Sequence, residues 1–517
     1  MTSLKMRSYY LLLPLLILTG TVNAQQMLNV TYQTRDSNNQ VITKVDQVDP
    51  SKVGIVVIDM WNWHWCKTSA GRVGCMVPRM NKCLDGARAL GMQVFLCPTD
   101  VANNYVGRPQ REAALAVNRI PLPPSLNLAC PHPGSGGCMC GEDQCITNGG
   151  WNGMADSLYI RDNDFISSGP EELYSICKAK GITHLWYMGV HTNNCVLGKP
   201  EGMRNMMNYG LTCALVRDLQ DPETFYDPIK NITPDDNNAR VVAHFEKYLA
   251  PSINFGDFLK QNNLWNNDWI VDPVRITPWG KPERSHQFKS KQIVTLTTPL
   301  NKDAVIYYTL DGSDPTTQSN KYTKPFEITA TTTLRALAYA DNKPVTIESK
   351  GYFTRLPDAP PLPNIYIADL PLQKANRNAR NPVNNMSILK TPLKIHNQLF
   401  KKGIGTQAPS FLTYTVKPGY TEFVAQCGID DYIADRDWGV EKAKFPSVIF
   451  KIFIDGKQVA ESPELRNSQY AWSFHIPIPK GSRLINLVAT DAGNGNMYDY
   501  ADWVNAGFIV DKNVAAK

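Results

Sequence analysis

The chain has 517 residues and a formal net charge of +6, so it is too long for one ordinary domain and too weakly basic to indicate nucleic-acid binding. Hydrophobic residues make up 43% of it, which is enough for packed cores and excludes extensive disorder. Eleven of the twelve cysteines lie between Cys66 and Cys213, so any sulfur chemistry belongs to the first half of the chain.

The N-terminus predicts export. Lys5 and Arg7 precede a short apolar run, Tyr9–Val22, and Ala24 completes a small-residue site for signal peptidase. We therefore expect residues 1–24 to be a signal peptide and the mature protein to be periplasmic or extracellular, without a membrane anchor. The alternative is an uncleaved N-terminal anchor. Export favours disulfides over metal ligation for clustered cysteines.

Residues 25–265 have the pattern of an α/β domain, because apolar runs that match buried strands alternate with helical segments. The predicted strands and helices are Val53–Ile58, Met76–Leu90, Gln93–Leu96, Pro170–Lys180 and His184–Met188. This alternation predicts a three-layer α/β sandwich around a mostly parallel sheet. A Cys-rich, Pro- and Gly-rich insertion interrupts the pattern near residues 130–150.

The second half of the chain predicts two β-sandwich domains. Residues 266–355 alternate Thr, Val, Ile and Tyr, with a turn at Asp311-Gly312. A Pro-rich linker follows at 356–363, and short alternating strands continue through 364–517. The protein is thus predicted to be multidomain, with one α/β domain followed by two β domains.

Two predicted strands end in residues that can carry chemistry. Asp59 follows the first strand, and Cys195 follows the strand that ends at Gly189-Val190. Ligands of open α/β sheets bind at the carboxyl ends of strands, so we expect both side chains in one crevice if the strands flank the switch point. A position at a helix N-terminus would favour the thiolate of Cys195. The structural alternative is a buried Asp that accepts loop N–H groups and a core Cys.

Several motifs resemble the isochorismatase-like cysteine hydrolase superfamily across about residues 50–250. They are Val57-Ile-Asp-Met-Trp-Asn62, Gly189-Val-His-Thr-Asn-Asn-Cys-Val196, the run Gly198 to Gly210, and Leu215-Val-Arg-Asp218. The resemblance implies a catalytic Asp, Lys and Cys, with Asp59 as general base and acid and Cys195 as nucleophile on an amide. It also implies a cis bond from Val190 to His191. Some members cleave an ether without a nucleophilic cysteine.

The family's lysine has no evident counterpart. Arg161, in Tyr159-Ile-Arg-Asp-Asn-Asp-Phe165, occupies the expected place. Arginine can orient a carboxylate or face an oxyanion but does not shuttle protons, and the alternative is a surface arginine. Asp100 lacks the His two residues on that zinc-binding members carry, so we predict no catalytic metal and expect Asp100 to line the crevice.

The remaining crevice residues follow from the same resemblance. Backbone N–H groups around His191 and Cys195 would form an oxyanion hole. Substrate contacts would come from His191, Thr192, Asn193 and Trp61. Independently of the resemblance, the Cys-rich insertion could wall the crevice together with Trp61, Trp63, Trp65 and Trp151; the alternative for each Trp is a place in the core.

The other cysteines predict disulfides. Cys130, Cys138, Cys140 and Cys145 lie in the insertion and, with His132, offer the alternative of a structural metal site, although no clean C-x-x-C pair is present. Cys66 and Cys75 are expected to pair across a short loop. Four more cysteines are interpreted as core residues or unassigned pairs: Cys83, Cys97, Cys177 and Cys213.

The two β domains carry further resemblances. Tyr307-Tyr-Thr-Leu-Asp-Gly-Ser-Asp-Pro315 is similar to the C-terminal domain of chitobiases and β-hexosaminidases, which implies a structural spacer. Lys402-Gly-Ile-Gly405 and Ile454-Asp-Gly-Lys457 resemble the NPCBM carbohydrate-binding modules. That resemblance implies glycan binding, for which the candidates are Tyr432, Trp438, Trp472 and Tyr498. Asp491, Asn494 and Asp499 are candidates for structural calcium, and no other cofactor is expected.

The sequence therefore predicts an exported cysteine hydrolase that cleaves an amide C–N bond in a small molecule or a glycan-linked substrate. Its partners would be a carbohydrate or cell-wall glycan and the amide substrate, not nucleic acid or membrane. The alternative is a glycan-binding pseudoenzyme, which the absent lysine would allow.

Overall fold

The computed structural model describes residues 27–141, 143, 145, 151–224, 233–265, 270–282, 284–375, 380–433 and 446–511. The proposed signal peptide, residues 1–24, and the glycan-binding candidate Trp438 lie outside the described residues.

The first domain is built on an eight-stranded sheet with the order β2-β1-β8-β7-β6-β3-β4-β5. The six strands from β8 to β5 run parallel, and the β1–β2 hairpin is antiparallel at one edge. The prediction of a mostly parallel sheet is confirmed. The strands are β1 (Leu28–Arg35), β2 (Val41–Val48), β3 (Val53–Ile58), β4 (Gln93–Cys97), β5 (Phe165–Ile166), β6 (His184–Val190), β7 (Thr212–Asp221) and β8 (Ser252–Ile253).

Helices cover both faces of this sheet. They are α1 (Lys67–Ala89), α2 (Pro109–Leu115), α3 (Pro170–Lys180), α4 (Met203–Asn208), α5 (Pro234–Tyr248) and α6 (Phe255–Gln261). Ile55 and Val57 pack with α1 and α6, whereas Val56 and Ile58 pack with α3, α4 and α5. Alternate residues of one fully buried strand thus enter two cores, which confirms the three-layer sandwich. Among the helices of the described residues, none is long and apolar enough to cross a membrane.

Helix α1 begins nine residues earlier than the predicted Met76–Leu90. Cys66 is its N-cap, and the Cys66 Sγ accepts a hydrogen bond from Ser69 N at 3.5 Å. The first turn, Lys67 to Ser69, is polar yet buried. Its residues therefore lack the apolar periodicity by which a sequence marks the start of a helix.

The switch point of the sheet lies between β3 and β6. Strand β3 pairs on one side with β4 and on the other with β6, with Ile58 opposite Gly189. The chain continues from β3 toward β5 and then returns to the other side of β3. Ligand crevices of open α/β sheets form at this place, so the residues after Ile58 and after Val190 share one crevice.

The middle domain consists of two packed β-sheets. One has the order β10-β17-β15-β12-β13, with β16 beside β15, and the other has the order β14-β11-β9. Val294 and Leu296 from the smaller sheet meet Leu334 and Phe353 from the larger one in the core. The strands are β9 (Arg275–Thr277), β10 (His286–Phe288), β11 (Gln292–Thr297), β12 (Val305–Thr309), β13 (Asn320–Lys321), β14 (Phe326–Ile328), β15 (Thr332–Ala340), β16 (Lys343–Pro344) and β17 (Ser349–Arg355).

The last domain is a second sandwich. Its sheets have the orders β20-β23-β31-β25-β29 and β19-β24-β30-β26-β27, with β18 beside β31 and β28 beside β26. Phe423 and Trp503 pack against Phe450 and Leu487 between the sheets. The strands are β18 (Ile365–Tyr366), β19 (Lys374–Ala375), β20 (Val383–Asn384), β21 (Leu393–Ile395), β22 (Gln398–Phe400), β23 (Gly403–Gln407), β24 (Ser410–Thr415), β25 (Tyr420–Ile429), β26 (Ser447–Ile454), β27 (Lys457–Glu461), β28 (Leu465–Arg466), β29 (Trp472–Pro477), β30 (Leu484–Thr490) and β31 (Tyr500–Val510).

Buried ion pairs join the first two domains. Arg72 of α1 lies 2.6 Å from Asp221 and 2.8 Å from Asp235, measured from its Nη2, and Arg275 of β9 also pairs with Asp235. Burial alone would raise the pKa of Asp235, but the two guanidinium groups hold it well below its usual range. The carboxylate therefore stays ionised and holds α5 to the middle domain.

Candidate active site

Asp59 lies at the carboxyl end of β3, at the switch point. Its φ of 60° places it in the left-handed region, which Asp tolerates better than most residues, and its N–H donates to Cys97 O at 3.1 Å. This turn separates Asp59 from the strand while its side chain stays buried. Oδ1 accepts from Thr99 Oγ1 at 3.4 Å, and Oδ2 has no hydrogen-bond partner among the described residues.

Cys195 follows β6 in a short turn of π-helix, Thr192–Val196. The peptide bond between Val190 and His191 is cis, which confirms the expectation from the sequence. Gly189 has a φ of 112°, and a Cβ there would lie 2.2 Å from Ile58 O, so only glycine fits where β6 approaches β3. The turn brings the Cys195 thiol close enough to Asp59 to lower the pKa of that carboxyl by hydrogen bonding.

Lys199 lies beside Asp59 and Cys195, although the sequence showed no evident counterpart of the family's lysine. Its Nζ lies 3.2 Å from Asp59 Oδ1 and 3.1 Å from Asp100 Oδ2. The Lys199 N–H donates to Cys195 O at 3.1 Å, so the lysine stands one helical turn after the cysteine. Residues four apart on a helix share a face, and the Cys195-Val-Leu-Gly-Lys199 spacing was the signal available in the sequence.

Arg161 does not take the part predicted for it. Its Nη2 lies 3.2 Å from Asp85 Oδ2, and its guanidinium stacks on Tyr159 at 4.6 Å. The Arg161 side chain is 49% exposed, whereas that of Lys199 is 16% exposed. Arg161 thus forms a surface ion pair with α1, and the cation beside Asp59 is Lys199.

Burial and charge set opposite protonation states for the acid and the thiol. Burial raises the pKa of Asp59 to about 6, although Lys199 and Cys195 oppose the shift. Burial, followed by the charge of Asp59, raises the pKa of Cys195 to about 12, although Lys199 opposes it. At neutral pH the crevice therefore holds a carboxylate, a neutral thiol and a lysine ammonium. Burial thus shifts the pKa of Cys195 in the direction opposite to the one expected for a thiol at a helix N-terminus.

Aromatic side chains line the crevice. The Trp61 ring lies 5.6 Å from that of Trp151 and 4.3 Å from that of His64, and Lys199 Nζ lies 5.1 Å from the Trp151 ring. Trp63 packs instead under Lys281 of the middle domain at 4.7 Å. Of the predicted wall, Trp61 and Trp151 therefore lie at the crevice and Trp63 does not.

His191, Thr192 and Asn193, which lie between β6 and Cys195, are buried, and His191 and Asn193 form hydrogen bonds within the protein. His191 Nε2 lies 2.9 Å from Ser69 Oγ, and burial holds the pKa of His191 well below its ordinary value, so the ring is neutral. Asn193 bonds the backbone of Gly134 and Glu223 with both its amide donor and its acceptor. Asn193 thus anchors the Cys-rich insertion beside the crevice, which corrects its assignment as a substrate contact. Thr192 Oγ1 has no hydrogen-bond partner in the part of the chain that the structure describes.

The predicted disulfides are absent. All twelve cysteines, each within the described residues, are free. Cys66 and Cys75 stand at the first and third turns of α1, about 13 Å apart at 1.5 Å per residue, which is too far for a bond. Cys66 instead meets three cysteines of the insertion: Cys138, Cys140 and Cys145. Cys130 and the exposed His132 lie outside this group.

Two of the glycan-binding candidates come together in the last domain. Tyr432 and Tyr498 meet Tyr500 edge-on, with ring centroids 5.9 and 6.4 Å away, and the Arg380 guanidinium lies 5.9 Å from the Tyr500 ring. Sequence analysis named neither Tyr500 nor Arg380. Trp472, the first residue of β29, is partly buried against the sandwich core.

The calcium candidates lie around Ser447. Asp499 Oδ1 accepts from Ser447 N at 2.8 Å, and Asn494 Oδ1 accepts from Ser447 Oγ at 2.7 Å. Asp491 Oδ1 accepts from Gly493 N at 3.1 Å. Calcium binding by these side chains stays a prediction.

Two family profiles match this chain. Residues 363–509 match the NPCBM/NEW2 domain, and residues 283–347 match the chitobiase/beta-hexosaminidase C-terminal domain. Both matches agree with the resemblances of the two β domains.

Curated relatives each match part of the chain. A candidate endo-alpha-N-acetylgalactosaminidase of Renibacterium salmoninarum is 30% identical over 124 residues, which are 24% of this chain and 8% of that protein. The ureidoacrylate amidohydrolase of Rhizobium rhizogenes is 22% identical over 257 residues, which are 44% of this chain and 92% of that protein. The chain thus spans a small part of the first relative and nearly all of the second.

Solved structures show similarity to part of this chain. A cysteine hydrolase of Pseudomonas syringae pv. phaseolicola is 13% identical, with 42% of this chain and 96% of that chain covered and a TM-score of 0.27. A CBM51 module of Clostridium perfringens GH95, in complex with methyl-galactose, is 23% identical, with 28% and 97% covered and a TM-score of 0.24.

Proposed function

We propose that the first domain is a cysteine hydrolase that cleaves an amide C–N bond. The observation that carries the proposal is the pairing of Lys199 with Asp59 beside Cys195, at the switch point of the sheet. A nucleophile, a base and a cation that fixes the base are the parts that acyl transfer through a thioester needs. The similarity of part of the chain to an amidohydrolase supports amides as the substrate class.

The protonation states fit general-base catalysis. With pKa values of about 6 and about 12, Asp59 is a carboxylate and Cys195 a neutral thiol at pH 7. The thiol must therefore lose its proton during attack and not before it. The Asp59 carboxylate, to which the Cys195 thiol hydrogen-bonds, is available to accept that proton.

The reaction then proceeds in two halves. In the first, Cys195 Sγ bonds to the amide carbonyl carbon, Asp59 takes the thiol proton, and the C–N bond breaks as Asp59 passes that proton to the leaving nitrogen. In the second, Asp59 takes a proton from water, the water oxygen bonds to the thioester carbon, and the C–S bond breaks. The proton returns to Cys195, so the acid is released and the enzyme is restored.

Lys199 keeps Asp59 ionised at neutral pH. Although burial lowers the pKa of Lys199, the carboxylates of Asp59 and Asp100 raise it above the ordinary value, so the ammonium stays charged. Its charge lowers the pKa of Asp59 against the effect of burial. Removal of the lysine would leave Asp59 protonated at neutral pH and unable to act as a base.

We further propose that the protein is exported and that its last domain binds glycan, so that hydrolysis takes place at a carbohydrate surface. The NPCBM/NEW2 match and the partly exposed tyrosines around Tyr500 support this part of the proposal. Aromatic rings stack on the apolar face of a sugar, and Arg380 beside them offers donors to its hydroxyls.

The hydrolase proposal is tested on a panel of primary amides, ureido compounds and N-acetylated amino sugars, with ammonia or amine release as the readout. The wild type and Cys130→Ser, which alters a cysteine outside the crevice, should turn over the same member of the panel. Cys195→Ser and Asp59→Asn should each lower the rate by at least about a hundredfold. Full activity in Cys195→Ser would contradict the proposal.

Glycan binding is tested separately with the full chain. Retention on immobilised glycans should fall in Tyr432→Ala and Tyr498→Ala but not in Tyr307→Ala, which removes an aromatic of the middle domain. Glycan binding without turnover of any amide, in a protein with free Cys195, would favour a glycan-binding pseudoenzyme.

A further inference from the structure

Four buried cysteines form a cluster that the hydrolase chemistry does not use. Cys66 caps α1, and Cys138, Cys140 and Cys145 reach it from the Cys-rich insertion. Cys66 Sγ lies 3.8 Å from Cys140 Sγ and 3.6 Å from Cys138 Sγ, and Cys140 Sγ lies 3.8 Å from Cys145 Sγ. The sulfurs of Cys66, Cys138 and Cys140 all lie within 4.8 Å of one another.

These distances do not describe disulfides. A disulfide holds two sulfurs about 2.05 Å apart and leaves each sulfur with one partner. Here Cys66 Sγ has two sulfur neighbours at nearly equal distance, and so has Cys140 Sγ. Sulfurs that share neighbours in this way are not arranged as two disulfide pairs.

The closest S–S separations in the cluster match those around one tetrahedral metal ion. Four thiolates at the usual Zn–S distance of about 2.3 Å stand about 3.8 Å apart along each edge of the tetrahedron. Three of the six S–S edges have this length, at 3.6, 3.8 and 3.8 Å, and Cys145 reaches the group of Cys66, Cys138 and Cys140 through Cys140. A cluster with two or more irons would hold its cysteines farther apart, because they would bind different metal atoms.

Hydrogen-bond donors surround the sulfurs. Met139 N and Ser69 N donate to Cys66 Sγ at 3.2 and 3.5 Å, and Lys67 N donates to Cys145 Sγ at 3.4 Å. Cys145 N donates to Cys138 Sγ at 3.3 Å. Such donors stabilise thiolate ligands, and the N-terminus of the 23-residue helix α1 opposes the negative charge of a tetrathiolate site.

We propose that Cys66, Cys138, Cys140 and Cys145 bind one zinc ion as a structural site. Four protein ligands leave no open position, so the ion holds the insertion to the start of α1 and takes no part in hydrolysis. The site also supports the crevice, because Cys66 N donates to His64 Nδ1 at 3.2 Å and the His64 ring stacks on Trp61.

Metal analysis of the full chain, purified without chelator, tests the proposal. The wild type should hold about one zinc ion per chain, and Cys138→Ser and Cys140→Ser should each lose most of it. Cys177→Ser, which alters a buried cysteine of α3, is the matched control and should keep the zinc. Replacement of zinc by cobalt should give the intense visible absorption of a tetrahedral cobalt–thiolate centre.

A readout on the wild type covers the case in which the Cys variants do not fold. A strong chelator should lower the melting temperature and make the four cysteines, but not Cys177, newly reactive to an alkylating agent. Three results would each overturn the proposal: zinc below about one tenth per chain with these cysteines in disulfides, iron in place of zinc, or unchanged zinc in the Cys138→Ser Cys140→Ser double variant.

Discussion

Replacement of Lys199 by methionine should shift the pH dependence of hydrolysis. Lys199 Nζ lies 3.2 Å from Asp59 Oδ1, and an opposite charge at such a distance lowers a carboxyl pKa by about 1 to 3 units. With a pKa of about 6 in the wild type, Asp59 should then titrate near pH 8 in Lys199→Met. The ionised fraction of Asp59 at pH 7 would fall from about nine tenths to about one tenth, so kcat/KM should fall about tenfold and recover at high pH.

The assay is amine or ammonia release between pH 5 and pH 9 for the amide that the wild type turns over. Lys199→Arg keeps the charge and should hold the acid limb of the profile near pH 6. Arg161→Met is the matched control, since Arg161 pairs with Asp85 at the surface. A substrate-free readout is the carboxyl stretch of Asp59, followed by difference infrared spectroscopy against Asp59→Asn.

Two results would refute this reasoning. One is an acid limb that stays near pH 6 in Lys199→Met, because the lysine would then not control the base. The other is a shift in Arg161→Met, which would restore the sequence-based assignment of the catalytic cation.

Three further predictions concern stability, measured by denaturant unfolding. The folded-state pKa of Asp59, about 6, lies above the ordinary 3.8, so the stability that this group contributes is present below pH 3.8 and is lost as the pH rises through 6. The free energy of unfolding of the wild type, relative to that of Asp59→Asn, should therefore fall by up to about 3 kcal/mol between pH 4 and pH 7. A difference that stays constant with pH would contradict the assigned pKa. Asp235→Ala leaves Arg72 and Arg275 without their shared partner and should lower the free energy of unfolding by about 3 to 5 kcal/mol. Asp85→Ala, at the surface, should lower it by about 1 kcal/mol or less. Equal losses in the two variants would contradict the role of Asp235 between the domains. Gly189→Ala places a Cβ within 2.2 Å of the Ile58 backbone oxygen and should prevent folding or abolish activity. Gly210→Ala, also at positive φ but with no neighbouring atoms near the new Cβ, should lower the free energy of unfolding by about 1 to 2 kcal/mol. A stable and active Gly189→Ala variant would contradict the close approach of β6 and β3.

Local patterns predicted the sheet and the pair of residues at its switch point. The limits of β3 and α3 agree with the predicted Val53–Ile58 and Pro170–Lys180, because buried strands and helices bounded by Pro and Gly have clear signatures. The convergence of Asp59 and Cys195 followed from the rule that ligands bind where strand order reverses.

Lys199 and Arg161 show where the sequence misled. The family resemblance places the lysine before α3, whereas in the structure the lysine beside Asp59 is Lys199, one turn after Cys195. Arg161 pairs with Asp85, 76 residues away, and no local pattern reports such a contact. The cation beside the base is thus fixed by tertiary structure, although the four-residue spacing from Cys195 was visible.

The thiol cluster could not be predicted for a similar reason. Its ligand Cys66 lies 72 residues before Cys138, outside any motif that spacing within the insertion can define. Cysteines of exported proteins more often form disulfides than bind metal, so the sequence favoured disulfides. Only the positions of the sulfurs distinguish a shared metal site from disulfide pairs.

The most direct test of the central claim is to trap the acyl-enzyme. Wild-type protein is mixed with the turned-over amide, quenched in acid within its turnover time and analysed by intact and peptide mass spectrometry. We predict a mass increase equal to the acyl group, located on Cys195 and absent from Cys195→Ser. Hydrolysis by the wild type without any adduct, together with equal hydrolysis by Cys195→Ser, would contradict the account.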